Sequence, residues 1–435
     1  MKEIYLDEFT KIIDSHETAF LCGNGFSINF DSCFSNIYDR LFLSHTQVIN
    51  HAKFDFAYSV PGNIRAIFKE NYNGFMHYIK NFNETDLNYL FNDGVTYAQN
   101  IIADNSLIEL LKENGLNYPL SFGTDMLDIV KSIAITGKYD FRYVNIEYWT
   151  ILIYMYFAIK KIDDYDCLKL HANNMFVTAI EKGRCNRNPL IIDPEGEKDV
   201  FQYQISNGFT LYYRLLMCTA ILCDGKAVDF DALEKKNLCI ERIEKLLIRF
   251  KILLTLNYDH ILEALSDKEI YHLHGSFLCD KKQYVYFHSL GLNLSEDSYI
   301  DFSDILIGDY FINKTFMGQI NSKNKSPYCK TTFQPVSDTE KLLKRRKINA
   351  IFIMGIGISN DQHIFRAIML AFADNCAQDY ILVYGYYNEQ DKISFKEEYD
   401  KLATFSSEVN EKVRQIKVMY INIKTVLGEY FEETK

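Results

Sequence analysis

Short apolar runs, most of them closed by a glycine or a polar residue, constrain this chain more than any other feature. They are Ala19-Phe-Leu-Cys-Gly23, Ile252-Leu-Leu-Thr-Leu-Asn257 and Ile270-Tyr-His-Leu-His-Gly275, then Ala350-Ile-Phe-Ile-Met-Gly355, Tyr380-Ile-Leu-Val-Tyr-Gly385 and Val418-Met-Tyr-Ile-Asn-Ile423. Nearly all are apolar on both faces, whereas a strand with one wet face alternates apolar and polar residues. Such runs suit central strands of a parallel sheet covered on both sides, and the later ones are far enough apart for crossover helices. The expected class is α/β with a doubly wound parallel sheet.

Between residues 59 and 247 the pattern changes to helical periodicity rich in aromatics, as in Leu107-Ile-Glu-Leu-Leu and Leu211-Tyr-Tyr-Arg-Leu-Leu. A length of 435 residues also exceeds what one core usually supports. We therefore expect a discontinuous sheet domain, residues 1–58 and 248–435, interrupted by an inserted helical domain, residues 59–247. The longest apolar stretch, Tyr148 to Ile159, has 12 residues. That is short of the roughly 20 a membrane span needs, so it reads as a buried helix and no membrane association is expected.

A formal net charge of -11 disfavours binding to phosphate backbones, so no direct nucleic-acid contact is expected. The basic run Lys341-Leu-Leu-Lys-Arg-Arg-Lys347 follows Ser337-Asp-Thr-Glu340, a capping-box pattern, and reads as a helix C-terminus. Glu3, Asp7 and Glu8 near the start do not suit a secretory signal. The ten cysteines contain no C-x-x-C pair, and a cytoplasmic location with reduced thiols is expected.

In open parallel sheets ligands bind beyond the carboxyl ends of the strands, near the point where strand order reverses. Four segments place small or polar groups there. Gly23-Asn24-Gly25-Phe26-Ser27 allows close backbone approach to a pyrophosphate, although Ile28 stands where the third glycine of G-x-G-x-x-G belongs, so a plain strand-end turn is the other reading. Asn257 and Asp259 end the second run, where they either line the mouth of the sheet or cap a helix from Ile261 to Ser266. His274 precedes Gly275 and is either a base or a structural histidine; a chelate with His272 lacks a third ligand at an obvious spacing, so no metal is expected. Gly355-Ile356-Gly357-Ile358-Ser359 repeats the first glycine-rich pattern on another strand.

Taken in order, these segments resemble sirtuins, which carry a Gly-Ala-Gly-x-Ser loop, a Gln-Asn-x-Asp strand end, a His-Gly pair and a Gly-Thr-Ser loop. Leu256 replaces the strand-end glutamine, and only Cys279 and Cys329 lie between His274 and Gly355, too few for the sirtuin zinc ribbon. The Gly-Asn-Gly-Phe loop, the Asn-Tyr pair and His-x-His-Gly are similar instead to the bacterial antiphage group of sirtuin-like and AbiH-like proteins. The resemblance spans roughly residues 17–45 and 250–425. It implies a Rossmann-like fold and an NAD hydrolase that consumes NAD as substrate during phage infection. Asn257 and His274 are then catalytic, while Gly23, Asn24, Gly25, Phe26, Ser27, Asp259, Gly355, Gly357 and Ser359 bind the dinucleotide. It further implies a homo-oligomer held latent until a phage-derived trigger or a HerA-type ATPase engages it. The alternatives are a nucleotide sensor without turnover, a sirtuin-type deacylase, and a scaffold built on the helical insert.

Overall fold

The computed structural model describes residues 1–55, 62–117, 125–162, 173–183, 200–278, 289–293, 299–302, 335–373, 379–404 and 407–433. They form two compact units, one comprising Met1–Asn36, Ile221–Phe277 and Phe333–Lys435, the other Ile37–Ala220 and Leu278–Thr332.

The first unit is built on seven strands: β1 (Lys2–Glu3), β2 (Thr18–Cys22), β3 (Ile252–Thr255), β4 (Ile270–His272), β5 (Ala350–Met354), β6 (Ile381–Tyr386) and β7 (Lys417–Asn422). Their order is β1-β7-β6-β5-β2-β3-β4, and every described pairing is parallel. Without the edge strand β1, this is the 3-2-1-4-5-6 order of a Rossmann-like sheet, read from the β4 edge. All six apolar runs became strands. β1 was not legible, because two charged, exposed residues carry no apolar signal.

Alternate residues of each central strand feed opposite layers. Ala19, Leu21, Ile351, Ile353 and Leu382 pack in one core with Leu343, Ile364, Phe365, Ile368 and Phe395 from covering helices. On the opposite face Phe20 and Phe352 meet Phe9, Phe26 and Phe250, with ring centroids 4.7 to 6.2 Å apart. The sheet is thus covered on both sides, which is why its strands read as continuously apolar. Full burial of each such side chain contributes about 1.5–3 kcal/mol.

The second unit is mainly helical. Its most apolar helix, Trp149–Lys160, is buried from Trp149 to Ile159, and the Trp149 indole N–H donates to the Tyr38 hydroxyl at 2.8 Å. That hydroxyl in turn donates to the Val144 carbonyl at 2.7 Å. These contacts join residues from position 37 onward to the helical unit, so its edge falls earlier than the expected 58/59 boundary. At the other edge, Ile243, Leu246 and Leu247 of helix Ile240–Ile248 are buried, and Phe250 packs on Phe20, which groups residues from 221 with the sheet rather than from 248. Strand Ser289–Asn293 pairs antiparallel with Ala52–Asp55, a small sheet that the helical reading did not anticipate.

Among the described residues no helix is long and apolar enough to cross a membrane. The basic run ends helix Pro335–Arg345, which starts two residues before Ser337, and the run is ion-paired: Lys344 to Glu340 at 2.7 Å and Arg346 to Glu269 at 3.2 Å. Cys22, Cys33, Cys223 and Cys239 are free thiols, and Cys218 is buried. Cys167, Cys185, Cys279, Cys329 and Cys376 lie outside the described residues.

Candidate functional site

Strand register brings the four sequence segments to one level. Cys22 at the end of β2 is in register with Met354 of β5 and with Thr255 of β3, and Thr255 is in register with His272 of β4. Chain order reverses between β2 and β5, so the two glycine-rich loops leave the sheet at its switch point.

There the loops brace one another. The Gly23 N–H donates to the Met354 carbonyl at 3.0 Å, and the Gly25 N–H donates to the Gly355 carbonyl at 3.1 Å. A Cβ on Gly25 would lie 2.5 Å from the Gly355 Cα, and Gly355 has φ of +70°, a left-handed conformation suited to glycine. These glycines therefore permit contact between two backbones, and the Gly23 and Gly25 amides expected to cradle phosphate are engaged inside the protein. Asn24 is exposed but its side-chain amide donates to the Phe34 carbonyl at 2.8 Å. The Phe26 ring is buried against Phe20, Phe30 and Phe431, which gives it a place in the core instead of at a ligand surface. Gly357 and Ser359 are exposed.

Ser27 joins the first loop to the β3 end. Its buried hydroxyl donates to Asp259 Oδ2 at 2.7 Å and accepts from Asn257 Nδ2 at 2.8 Å. The Asn257 backbone N–H donates to Thr255 Oγ1 at 3.0 Å, so both ends of this residue are held. Asp259 Oδ1 accepts the Ile261 N–H at 3.2 Å just ahead of helix Ile261–Leu265, whose N-cap is His260, so Asp259 steadies the turn into that helix and is also the partner of Ser27. Burial raises the pKa of Asp259, with the Ser27 hydroxyl and the Ile261 amide acting against that rise. Burial also pushes the Cys22 thiol far up, so it offers no thiolate.

The two histidines of His272-x-His274 have separate surroundings. β4 ends at His272, earlier than expected, and Gly275 turns the chain with φ of +93°. His272 Nδ1 lies 2.8 Å from the Asn257 carbonyl and its Nε2 lies 2.6 Å from Glu263 Oε1. Both partners are acceptors, so both ring nitrogens donate. Burial acts to lower the His272 pKa, but Glu263 outweighs it and the net shift is upward; burial acts to raise Glu263, and His272 reverses that to a net lowering. His272 thus anchors the backbone of Asn257, and the described geometry does not make the His272–His274 chelate weighed from the sequence.

His274 is buried, and burial lowers its pKa to about 4, which leaves it neutral near pH 7. Its Nε2 lies 2.9 Å from His363 Nε2, with the rings stacked at a 15° interplanar angle, and 3.9 Å from Asp361 Oδ1. Sequence reading missed His363, Asp361 and Glu263. The available signal was Asp361-Gln-His363, the polar start of helix Gln362–Ala373 just after the second glycine loop.

The arrangement can therefore offer a positioned amide at Asn257 and a neutral imidazole at His274, from loops following adjacent strands. No protein-family model, curated protein or solved structure matches the chain.

Proposed function

We propose that this chain is an NAD+ hydrolase that cleaves the bond between nicotinamide and ribose, releasing nicotinamide and ADP-ribose. The observation that carries this reading is the placement of Asn257 after β3, the strand next to the switch point of a Rossmann-like sheet, where it is tied to Ser27 of the first glycine loop, with His274 after β4 set against His363 of the β5 connection. Nicotinamide departs as a neutral ring from a cationic nucleotide, so positive charge passes to the ribose and positioning matters more than acid catalysis. Asn257 hydrogen-bonds the ribose hydroxyls and orients a water. His274 accepts a proton from that water as its oxygen bonds to the ribose carbon and the nitrogen–carbon bond breaks.

The geometry modifies two roles implied by the sirtuin resemblance. Asp259 acts through Ser27 to set the Asn257 amide, in place of binding the dinucleotide directly, because both its oxygens already accept hydrogen bonds. The dinucleotide lies against the exposed Gly357 and Ser359 and the outer side of Asn24 and Gly25, with Gly23, Gly355 and Phe26 shaping the loops from within. The biological part of the proposal comes from the resemblance: depletion of cytoplasmic NAD in antiphage defence, in a homo-oligomer released by a phage-derived trigger or a HerA-type ATPase.

Incubation of purified protein with NAD, with nicotinamide and ADP-ribose followed by chromatography, tests the proposal. Release by the wild type and none by Asn257→Ala is the expected result. NAD binding by calorimetry with no release, even in cell extract from infected cultures, would replace the hydrolase with a sensor.

A further inference from the structure

His274, Asp361 and His363 bring two imidazole nitrogens and a carboxylate oxygen within 4.8 Å of one another. They come from two loops of the sheet unit, the turn after β4 and the start of helix Gln362–Ala373 after β5. Both histidines are more than nine-tenths buried, with exposures of 6% and 4%. Asp361 is the partly exposed member, at 17% of its side chain, and marks the side from which an ion can enter.

We propose that this triad is a binding site for a divalent transition metal of the zinc class, held by His274 Nε2, His363 Nε2 and one oxygen of Asp361. The donor set is chemically apt: two imidazoles and one carboxylate leave a fourth position open, as metal sites that exchange ligands do. The spacing is also near what an ion requires. Two nitrogens on one tetrahedral zinc at about 2.0–2.1 Å each are about 3.3 Å apart. The observed 2.9 Å separation reaches that by a few tenths of an ångström of side-chain movement. Aligned Nε2 atoms are what distinguishes this pair from His272, whose two nitrogens face Glu263 and the Asn257 carbonyl.

One consequence rests on the hydrolase reading. The Nε2 lone pair of His274 cannot hold a metal and accept a proton together, so occupancy of the triad and base catalysis through that atom exclude each other. The site is then an inhibitory one, and zinc suppresses NAD hydrolysis while a chelator restores it.

The metal site is tested without NAD, by titrating the purified full chain with Co2+ and reading visible ligand-field absorption, and with Zn2+ by calorimetry. One equivalent is expected to bind. His363→Ala and the near-isosteric Asp361→Asn should each weaken binding by more than about 100-fold, beyond the 10–100-fold typical of outer-shell partners. His272→Gln should leave the cobalt spectrum unchanged. Absence of the cobalt bands in the wild type, or equal binding by folded His363→Ala, overturns the site. A chain that binds Co2+ but releases no nicotinamide fails as a hydrolase and keeps its metal site; one that hydrolyses NAD without binding Co2+ loses only the metal site. Loss of hydrolysis on chelation would overturn the inhibitory role.

Discussion

The Ser27 hydroxyl accepts a hydrogen bond from the Asn257 amide at 2.8 Å, across 230 positions of sequence, and passes its own proton toward Asp259 at 2.7 Å. Ser27→Ala removes both contacts and leaves a buried carboxylate short of one donor. Stability should fall by about 1–3 kcal/mol, measured from the urea midpoint. If the proposed function holds, nicotinamide release should fall as well, because the Asn257 amide is no longer held. Unchanged values of both would mean that the Ser27 contacts are incidental.

Asn257→Ala and His274→Ala are expected to stop NAD hydrolysis by different routes. Loss of the His274 base should lower turnover about 100 to 10,000-fold. Asn257 is partly exposed, so its replacement should leave the thermal midpoint nearly unchanged. His274 is buried against His363, so that variant should also lose some stability, and its rate is to be referred to the folded fraction. Full activity in either variant would remove that residue from the mechanism.

The glycine contact can be probed by two alanine substitutions of opposite expected sign. At Gly25 an added Cβ meets the Gly355 backbone at 2.5 Å, and neither side can swing away. A loss of at least about 3 kcal/mol is expected, the upper end of overpacking costs. Gly428, inside helix Ile423–Tyr430, has nothing within 4 Å of the same position. Gly428→Ala should stabilise by about 0.5–1 kcal/mol. Comparable destabilisation by both would show that helix propensity and backbone contact are not what separates them.

Acid stability should depend on Asp31. Burial alone would raise its pKa, but the Lys226 ammonium at 2.7 Å and the backbone N–H groups of Cys33 and Glu234 hold it down at about 2. The unfolded value is about 3.9. Because the folded pKa is the lower one, the contribution is complete above about pH 4 and disappears as pH falls through about 2. Asp31→Asn should therefore be less stable than wild type by about 2 kcal/mol at neutral pH, with a gap that closes in acid. A gap that stays constant to pH 2 would assign the effect to something other than the ionised carboxylate.

The strands were legible because hydrophobic pattern is a local property: Thr18–Cys22 and Ala350–Met354 are buried at every position, and their sequences say so residue by residue. The candidate groups at their ends were legible for the same reason, since glycine, asparagine and histidine interrupt apolar runs. Strand order and register were not written locally. They place Gly25 against Gly355 and Ser27 against Asn257, and those pairings decide that two glycine amides of the first loop donate to carbonyls at the end of β5 and that Asp259 supports Asn257. His363 shows the limit most clearly. In sequence it is one polar residue at the start of an apolar helix, and only the adjacency of the β4 and β5 connections in space sets its ring 2.9 Å from His274. Local periodicity determined which segments become strands and helices; the packing of distant segments, driven by burial of both sheet faces, decided which side chains meet.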